Sequence, residues 1–166
     1  MKTSSLTQER LKEVLRYDPD TGLLTRLASA GTVKAGTVTA GGFDKDGYRK
    51  IAVDGCTHQV HRLAVLYMTG KYPTVHVDHR DHDKSNNRWK NLREATVSQN
   101  KQNSKLMRTN TSGVKGVHWC KTSQKWRGEV KCEGERKYGY FETLSDAASF
   151  VREIREKHHL DFACHE

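Results

Sequence analysis

Residues 77–100 read VDHRDHDKSNNRWKNLREATVSQN, the stretch of the chain richest in groups that could do chemistry. Hydrolysis of a phosphodiester with one metal ion needs a general base, oxygen ligands for a hard cation, and a frame that holds them. His79 is the natural base, because an ordinary imidazole pKa of about 6.5 leaves a large neutral fraction at pH 7. Asp78 supplies a carboxylate and Asn100 an amide carbonyl. Both suit magnesium, which keeps several waters and takes few protein ligands. His82 is a competing base or ligand. Taken singly, such Asp and Asn residues more often build turns, so the bland alternative is a solvated polar loop. The ordered set is what points to a site. Neighbours on a regular strand face opposite ways, so Asp78 and His79 can share an ion only where a strand ends or bulges. The loop-like sequence after His79 suits a strand end. His76 alternates with Asp78 and could lie near it. His61 sits among apolar residues and is expected as a packed, hydrogen-bonded core histidine. Asn86, Asn87 and Asn103 are expected to shape the loop and helix.

The flanking sequence predicts the elements that position this stretch. Residues 7–16 read as a helix capped by Thr7, with Leu11, Val14 and Leu15 as its apolar stripe. YDPDTG (17–22) is a turn. Strands are expected over Leu23–Leu27, Tyr48–Val53 and Thr57–Val60, the last two joined by an Asp54-Gly55 hairpin. HRLAVLYMTG (61–70) is a helix stopped by Gly70. Val75–Val77 reads as a strand, and a second helix is expected from Thr96 towards Leu106. The basic KLMRTNTSG segment (105–113) reads as a linker. Beyond it come aromatic-rich strands, GVHWC (116–120), KWRGEVKC (125–132) and RKYGYF (136–141). A closing helix is expected over 144–158, with Ala147, Phe150, Val151 and Ile154 at helical spacing. LDFACHE (160–166) is expected as a short packed tail. The fold class is therefore α+β, in one or two small domains.

The 166 residues carry 29 Lys and Arg against 20 Asp and Glu, a formal net charge of +9. Such an excess favours an anionic partner, nucleic acid first. No apolar run approaches a membrane span, and MKTSSLTQER lacks the apolar core of a signal peptide, so no membrane role is expected. The four cysteines, Cys56, Cys120, Cys132 and Cys164, form no C-x-x-C pair. They are expected as reduced, structural side chains rather than zinc ligands.

The run VDHRDHDKSNNRWKNLREATVSQN resembles the core of the HNH endonuclease family, and the upstream HRLAV (61–65) resembles what precedes that core. The likeness covers roughly residues 60–103 and combines D-H, N-N-R, N-L-R and T-x-x-x-N. It implies two strands and a helix cradling one divalent ion, Mg2+ with Mn2+ as the alternative. By position, His79 would be the general base and Asn91 the Asn that braces the loop. Asp78 and Asn100 would be the metal ligands. His82 departs from the pattern, standing where the family often has Gly or Asn.

Residues 110–159 resemble the Apetala-type (ethylene-responsive-factor) DNA-binding domain through S-G-V-K-G-V-x-W, K-W-R-G-E-V, G-Y-F and the Ala147-Ala148 pair. In that family a three-stranded sheet lies in the major groove. The resemblance implies Lys115, His118, Trp119, Lys121, Lys125, Trp126, Arg127 and Lys131 as DNA-contacting candidates. His118 replaces the usual Arg, which removes a bidentate contact to guanine. Core burial is the alternative fate of Trp119 or Trp126.

Three segments are expected: residues 1–60 as support, 61–108 as nuclease core and 109–166 as DNA-binding module. The resemblances imply a homing or phage-borne endonuclease acting on double-stranded DNA. It would be a monomer or homodimer in the cytoplasm of a bacterium or phage-infected cell. The rival from another class is a non-catalytic DNA-binding regulator, and a weaker one is a nuclease of RNA or branched DNA.

Overall fold

The computed structural model of the protein describes residues 6–104, 106–107, 109–132 and 134–165. It is α+β throughout, and the chain divides into two compact units, residues 1–97 and 98–166.

In the first unit Thr7 opens α1 (Gln8–Val14), its hydroxyl accepting from the Arg10 amide at 3.2 Å. The helix stops short of the end of its apolar stripe. Leu15 and Tyr17 are instead the buried positions of a strand, β1 (Leu15–Tyr17), antiparallel to β2 (Leu24–Arg26), with β3 (Val38–Thr39) beside β2. A second sheet holds β4 (Gly42–Phe43), β5 (Arg49–Val53) and β6 (Cys56–Gln59) in that order. The β5–β6 hairpin turns at Asp54 and Gly55, with φ of 47° and 79°. Two successive positive φ values are what a type I′ turn requires, and its twist matches that of the strands.

Helix α2 (Val60–Thr69) follows β6 directly and ends at Gly70, whose φ is 76°. Val60, His61, Leu63, Ala64, Val65 and Leu66 are all buried, so α2 forms the centre of the core. Leu11, Leu15, Tyr17, Leu24, Val53, Val77 and Leu92 pack in the same cluster. Strands β7 (His76–His79) and β8 (Leu92–Ala95) then pair antiparallel, Asp78 opposite Arg93 and His79 opposite Leu92.

Helix α3 (Val97–Gln102) runs over the boundary in the chain and is shorter than the helix expected towards Leu106. Lys105 and Arg108 of the expected linker lie outside the described residues. From Asn110 onward that segment is a folded turn, in which Asn110 Oδ1 accepts from the Gly113 amide at 2.8 Å. The second unit is built on β9 (Val117–Cys120), β10 (Lys125–Cys132) and β11 (Glu135–Phe141), with β10 central. Helix α4 (Leu144–His159) is capped by Thr143, which accepts from the Asp146 amide at 3.1 Å. It lays Ala147 and Val151 on Val117, Val130 and Cys132, with Trp126, Phe141, Phe150 and Ile154 around them. Gly128 permits this approach, since a Cβ there would lie 2.9 Å from Val151 Cγ2 and 3.1 Å from the Ala147 carbonyl. Among the described residues no helix is long and apolar enough to cross a membrane.

Candidate active site

Strand β7 ends at His79, and the loop from Arg80 to Arg88 folds back on that end through its own side chains. Asp81 Oδ1 accepts from the Asp83 amide at 2.9 Å, and Asp83 Oδ1 accepts from the Ser85 amide at 2.8 Å. These are Asx-type turns, the local habit of Asp and Asn. His82 takes a φ of 61° and is half-buried. Asn91 spans the loop from inside. Its Oδ1 accepts from the Asp81 amide at 3.1 Å, and its Nδ2 faces Asp81 Oδ1 and the Asn86 carbonyl, each at 2.8 Å.

Asp78 and His79 are both buried. The Asp78 carboxylate faces Arg93, its cross-strand partner, with Oδ2 2.9 Å from Nε and 2.8 Å from Nη2. Both side chains of that pair are 8% exposed, so charge balance is obligatory there. His79 turns to Asn87, with Nε2 3.2 Å from Asn87 Oδ1. Asn87 Nδ2 donates to the Ser85 carbonyl at 3.2 Å, which assigns Oδ1 as the atom facing the histidine. An amide oxygen only accepts, so the proton sits on His79 Nε2 and the lone pair on Nδ1. Burial pushes the His79 pKa below 6.5, outweighing Asn87, Asp81, Asp78 and Asp83. The ring is therefore neutral at pH 7, the form a general base needs.

Asn87 is in turn fixed by distant chain. The Tyr17 hydroxyl donates to its carbonyl at 2.6 Å, and the Trp89 amide donates to the Pro19 carbonyl at 2.9 Å. Gly22, at φ 74°, packs so close that a Cβ would lie 2.5 Å from the Asn87 carbonyl carbon. The ring of His61 lies 5.2 Å from that of His79, and Tyr48 lies 6.0 Å from it. His61 packs in the core as expected, but the expected hydrogen bond is missing at Nδ1. That atom is buried with no hydrogen-bond partner among the described residues. Tyr17, Gly22 and Tyr48 carry no mark of the site in the sequence, because they meet it only through the fold.

Among the described residues no group of three His, Cys, Asp or Glu side chains is arranged to hold a metal ion. In the first unit the candidate oxygen donor is the Asp78 carboxylate; Asn100, half-buried on α3, belongs to the second unit. Hard oxygens in small number suit a divalent ion that keeps its waters. His76 is exposed, at the start of β7. None of the cysteines is in a disulfide; Cys132 and Cys164 are buried and Cys56 is exposed.

The second unit sorts the DNA-contacting candidates by face. Pairing sets Arg127 opposite His118 on one side and Tyr140 on the other, while Trp126 sits opposite Trp119 and Phe141. Strand alternation puts Lys125, Arg127, Glu129 and Lys131 on the face away from α4. Arg127 lies over the Tyr138 and Tyr140 rings at 4.8 and 5.9 Å and pairs with Glu129 at 2.8 Å. Lys125 pairs with Glu142 at 2.7 Å. Trp119 and Trp126 are not on this face: their rings meet edge to face at 5.3 Å on the opposite side, where Trp126 joins the core and Trp119 stays 42% exposed. Lys121 is exposed in the β9–β10 turn. Lys115 is half-buried, and its ammonium donates to the carbonyls of Gln102 and Ser104.

The family model described as HNH endonuclease matches residues 58–102. Protein 3.8 of Escherichia phage T7 is 34% identical over 88 residues, which make up 53% of this chain and 73% of that protein. The solved structure of the HNH homing endonuclease I-HmuI, from work on DNA binding and cleavage, is similar over 89% of this chain and 88% of its own. The identity there is 23% and the TM-score 0.42. HNH nucleases generally depend on a divalent metal ion. With two-thirds or more of the phage protein covered, and the HNH model lying over Asp78, His79, Asn91 and Asn100, the chain belongs to the HNH endonuclease family.

Proposed function

We propose that the protein hydrolyses phosphodiester bonds of double-stranded DNA with one divalent metal ion, Mg2+ or Mn2+, and with His79 as general base. The observation that carries this reading is a buried, neutral His79 whose Nε2 proton is committed to Asn87, beside Asp78 on a loop braced by Asn91. Asp78 would hold the ion through oxygen, and the part of Asn100 as a second ligand rests on the family pattern alone. When bound there, the ion supplies charge neutralisation at the scissile phosphate and stabilisation of the leaving 3′ oxygen. His79 Nδ1 takes a proton from the attacking water, and the Asn87 contact keeps the ring from turning its protonated edge to that water. Arg93 balances the Asp78 charge and fixes one of its oxygens. Asn91 keeps the loop after His79 in one shape.

Holding the duplex falls to the outer face of the second sheet, where Lys125, Arg127 and Lys131 alternate along β10 and His118 stands opposite Arg127, with Lys121 in the adjoining β9–β10 turn; Trp119 lies on the other face and stays exposed. A three-stranded sheet backed by one helix supports the Apetala-type reading of this unit. Lys115 and Trp126 serve that unit as structure, given their carbonyl and core contacts. The direct test is nicking of supercoiled plasmid with Mg2+, with Mn2+ and with EDTA. Cleavage that depends on the ion supports the reading, and equal cleavage in EDTA removes the metal from it. Binding without cleavage under every metal would favour a DNA-binding regulator.

A further inference from the structure

His61 stands on the first turn of α2, 4% exposed, and its Nδ1 has no hydrogen-bond partner among the described residues. A buried polar atom left this way costs stability, so core packing alone gives no reason for a histidine here. What the residue does make is ring contact. Its centroid lies 5.2 Å from that of His79 with the planes at 73°, and 5.0 Å from that of Tyr48. Tyr48 in turn lies 6.0 Å from His79. Aromatic pairs at such distances hold a preferred mutual orientation. Asn87 holds one edge of the His79 ring, and these two rings pack against it.

A general base serves only while its lone pair stays on the nitrogen that meets the water. We propose that His61, backed by Tyr48, is a positioning residue for His79: its ring stops the imidazole from turning over, which would exchange Nδ1 and Nε2. This rests on the reading of His79 as the base. Burial keeps His61 itself neutral, with its pKa pushed down to about 3, so it adds no second cation beside His79. The unpartnered Nδ1 means that a flat apolar ring can replace it.

The test is 15N NMR of the His79 ring in the metal-free protein, well above pH 6.5, together with plasmid cleavage kinetics in Mg2+. The parent should show one tautomer, protonated at Nε2. His61→Ala should give a mixed tautomer signal and a kcat lower by about 10–100-fold at unchanged KM, the cost expected of a displaced catalytic group. His61→Phe should return the single tautomer, bring kcat back to within about tenfold of the parent, and unfold at the parental temperature or above. Should the Ala variant fail to fold, His61→Leu takes its place, since it fills the space without a flat ring. The proposal is overturned by parental kcat and tautomer in the Ala or Leu variant, by slow cutting with the tautomer unchanged, or by a Phe variant no better than Ala or Leu. Parental cutting by His79→Ala would instead remove the base assignment, while leaving the tautomer result standing.

Discussion

Asp78 and Arg93 depend on each other, because both side chains are buried and their charges meet at 2.8 Å. Removing one partner of such a pair leaves an uncompensated charge in low dielectric. Arg93→Met should therefore cost about 3–5 kcal/mol of stability in EDTA. Adding Asp78→Leu should return most of that stability without restoring activity, since the coupled term disappears with both charges. Urea midpoints of the two variants decide it; a double variant as unstable as the single one would show that the pair does not govern the effect. Asn91 acts differently, through shape. Its amide reaches the Asp81 amide, the Asp81 carboxylate and the Asn86 carbonyl, three points spread along the loop. Asn91→Ala should lower cleavage by about 10–100-fold, as expected for a small displacement of a catalytic group, and leave DNA affinity nearly unchanged. Parental cleavage rates in this variant would mean that the loop holds His79 without it.

At the scale of elements, the site is a strand end clamped by a turn from the other end of the first unit. Gly22 makes that clamp possible, having a positive φ and room only for hydrogen against the Asn87–Arg88 backbone. Gly22→Ala meets strain and a backbone clash together, so it should destabilise the first unit by about 1–3 kcal/mol and slow cleavage as Asn87 shifts. Thermal unfolding and plasmid cleavage of this variant read the two effects, and a variant unchanged in both would mean the clamp is unimportant. The sequence carries α1, α2 and α4 in their caps and apolar spacing, and the β5–β6 hairpin in its Asp-Gly pair. It does not carry β8, whose LREA has no alternation of its own and becomes a strand by pairing with β7. Leu15 belongs to the helical stripe by spacing yet goes to β1, because its partner strand is close in sequence. The same limit applies at the site. Asp78, His79 and Asn91 stand out in the sequence because their types and intervals fall within one short stretch of chain, residues 78–91. Tyr17 reaches that stretch from 70 residues away, and no local pattern could have announced it. The faces of Trp119 and Trp126 waited on strand register for the same reason.

The whole molecule should lose stability in acid, in two windows. Burial lowers the pKa of His58, His61, His79 and His159, that of His61 to about 3. Unfolded histidines bind protons as pH falls through 6.5 while these do not, so their contribution is full above 6.5 and shrinks below it. Asp18, Asp44, Asp54, Asp81 and Asp83 have lowered values, so their contribution is present above about 3.8 and disappears as pH falls through the lowered values. Denaturant midpoints should thus already decline between pH 7 and 5, and a flat profile there would contradict the buried neutral histidines. Binding should carry the signature of the +9 charge. Lys125→Gln with Arg127→Gln should flatten the log–log salt dependence of DNA affinity by about 0.9 for each phosphate left without its cationic partner. An unchanged slope would move the DNA-holding face elsewhere. The most direct measurement of the central claim compares supercoiled plasmid cleavage by the parent and by His79→Ala, in Mg2+, with DNA binding measured alongside. The variant should bind as the parent does while cutting about two to four powers of ten more slowly, the worth of a positioned general base. A His79→Ala protein that binds and cuts at the parental rate would contradict the account.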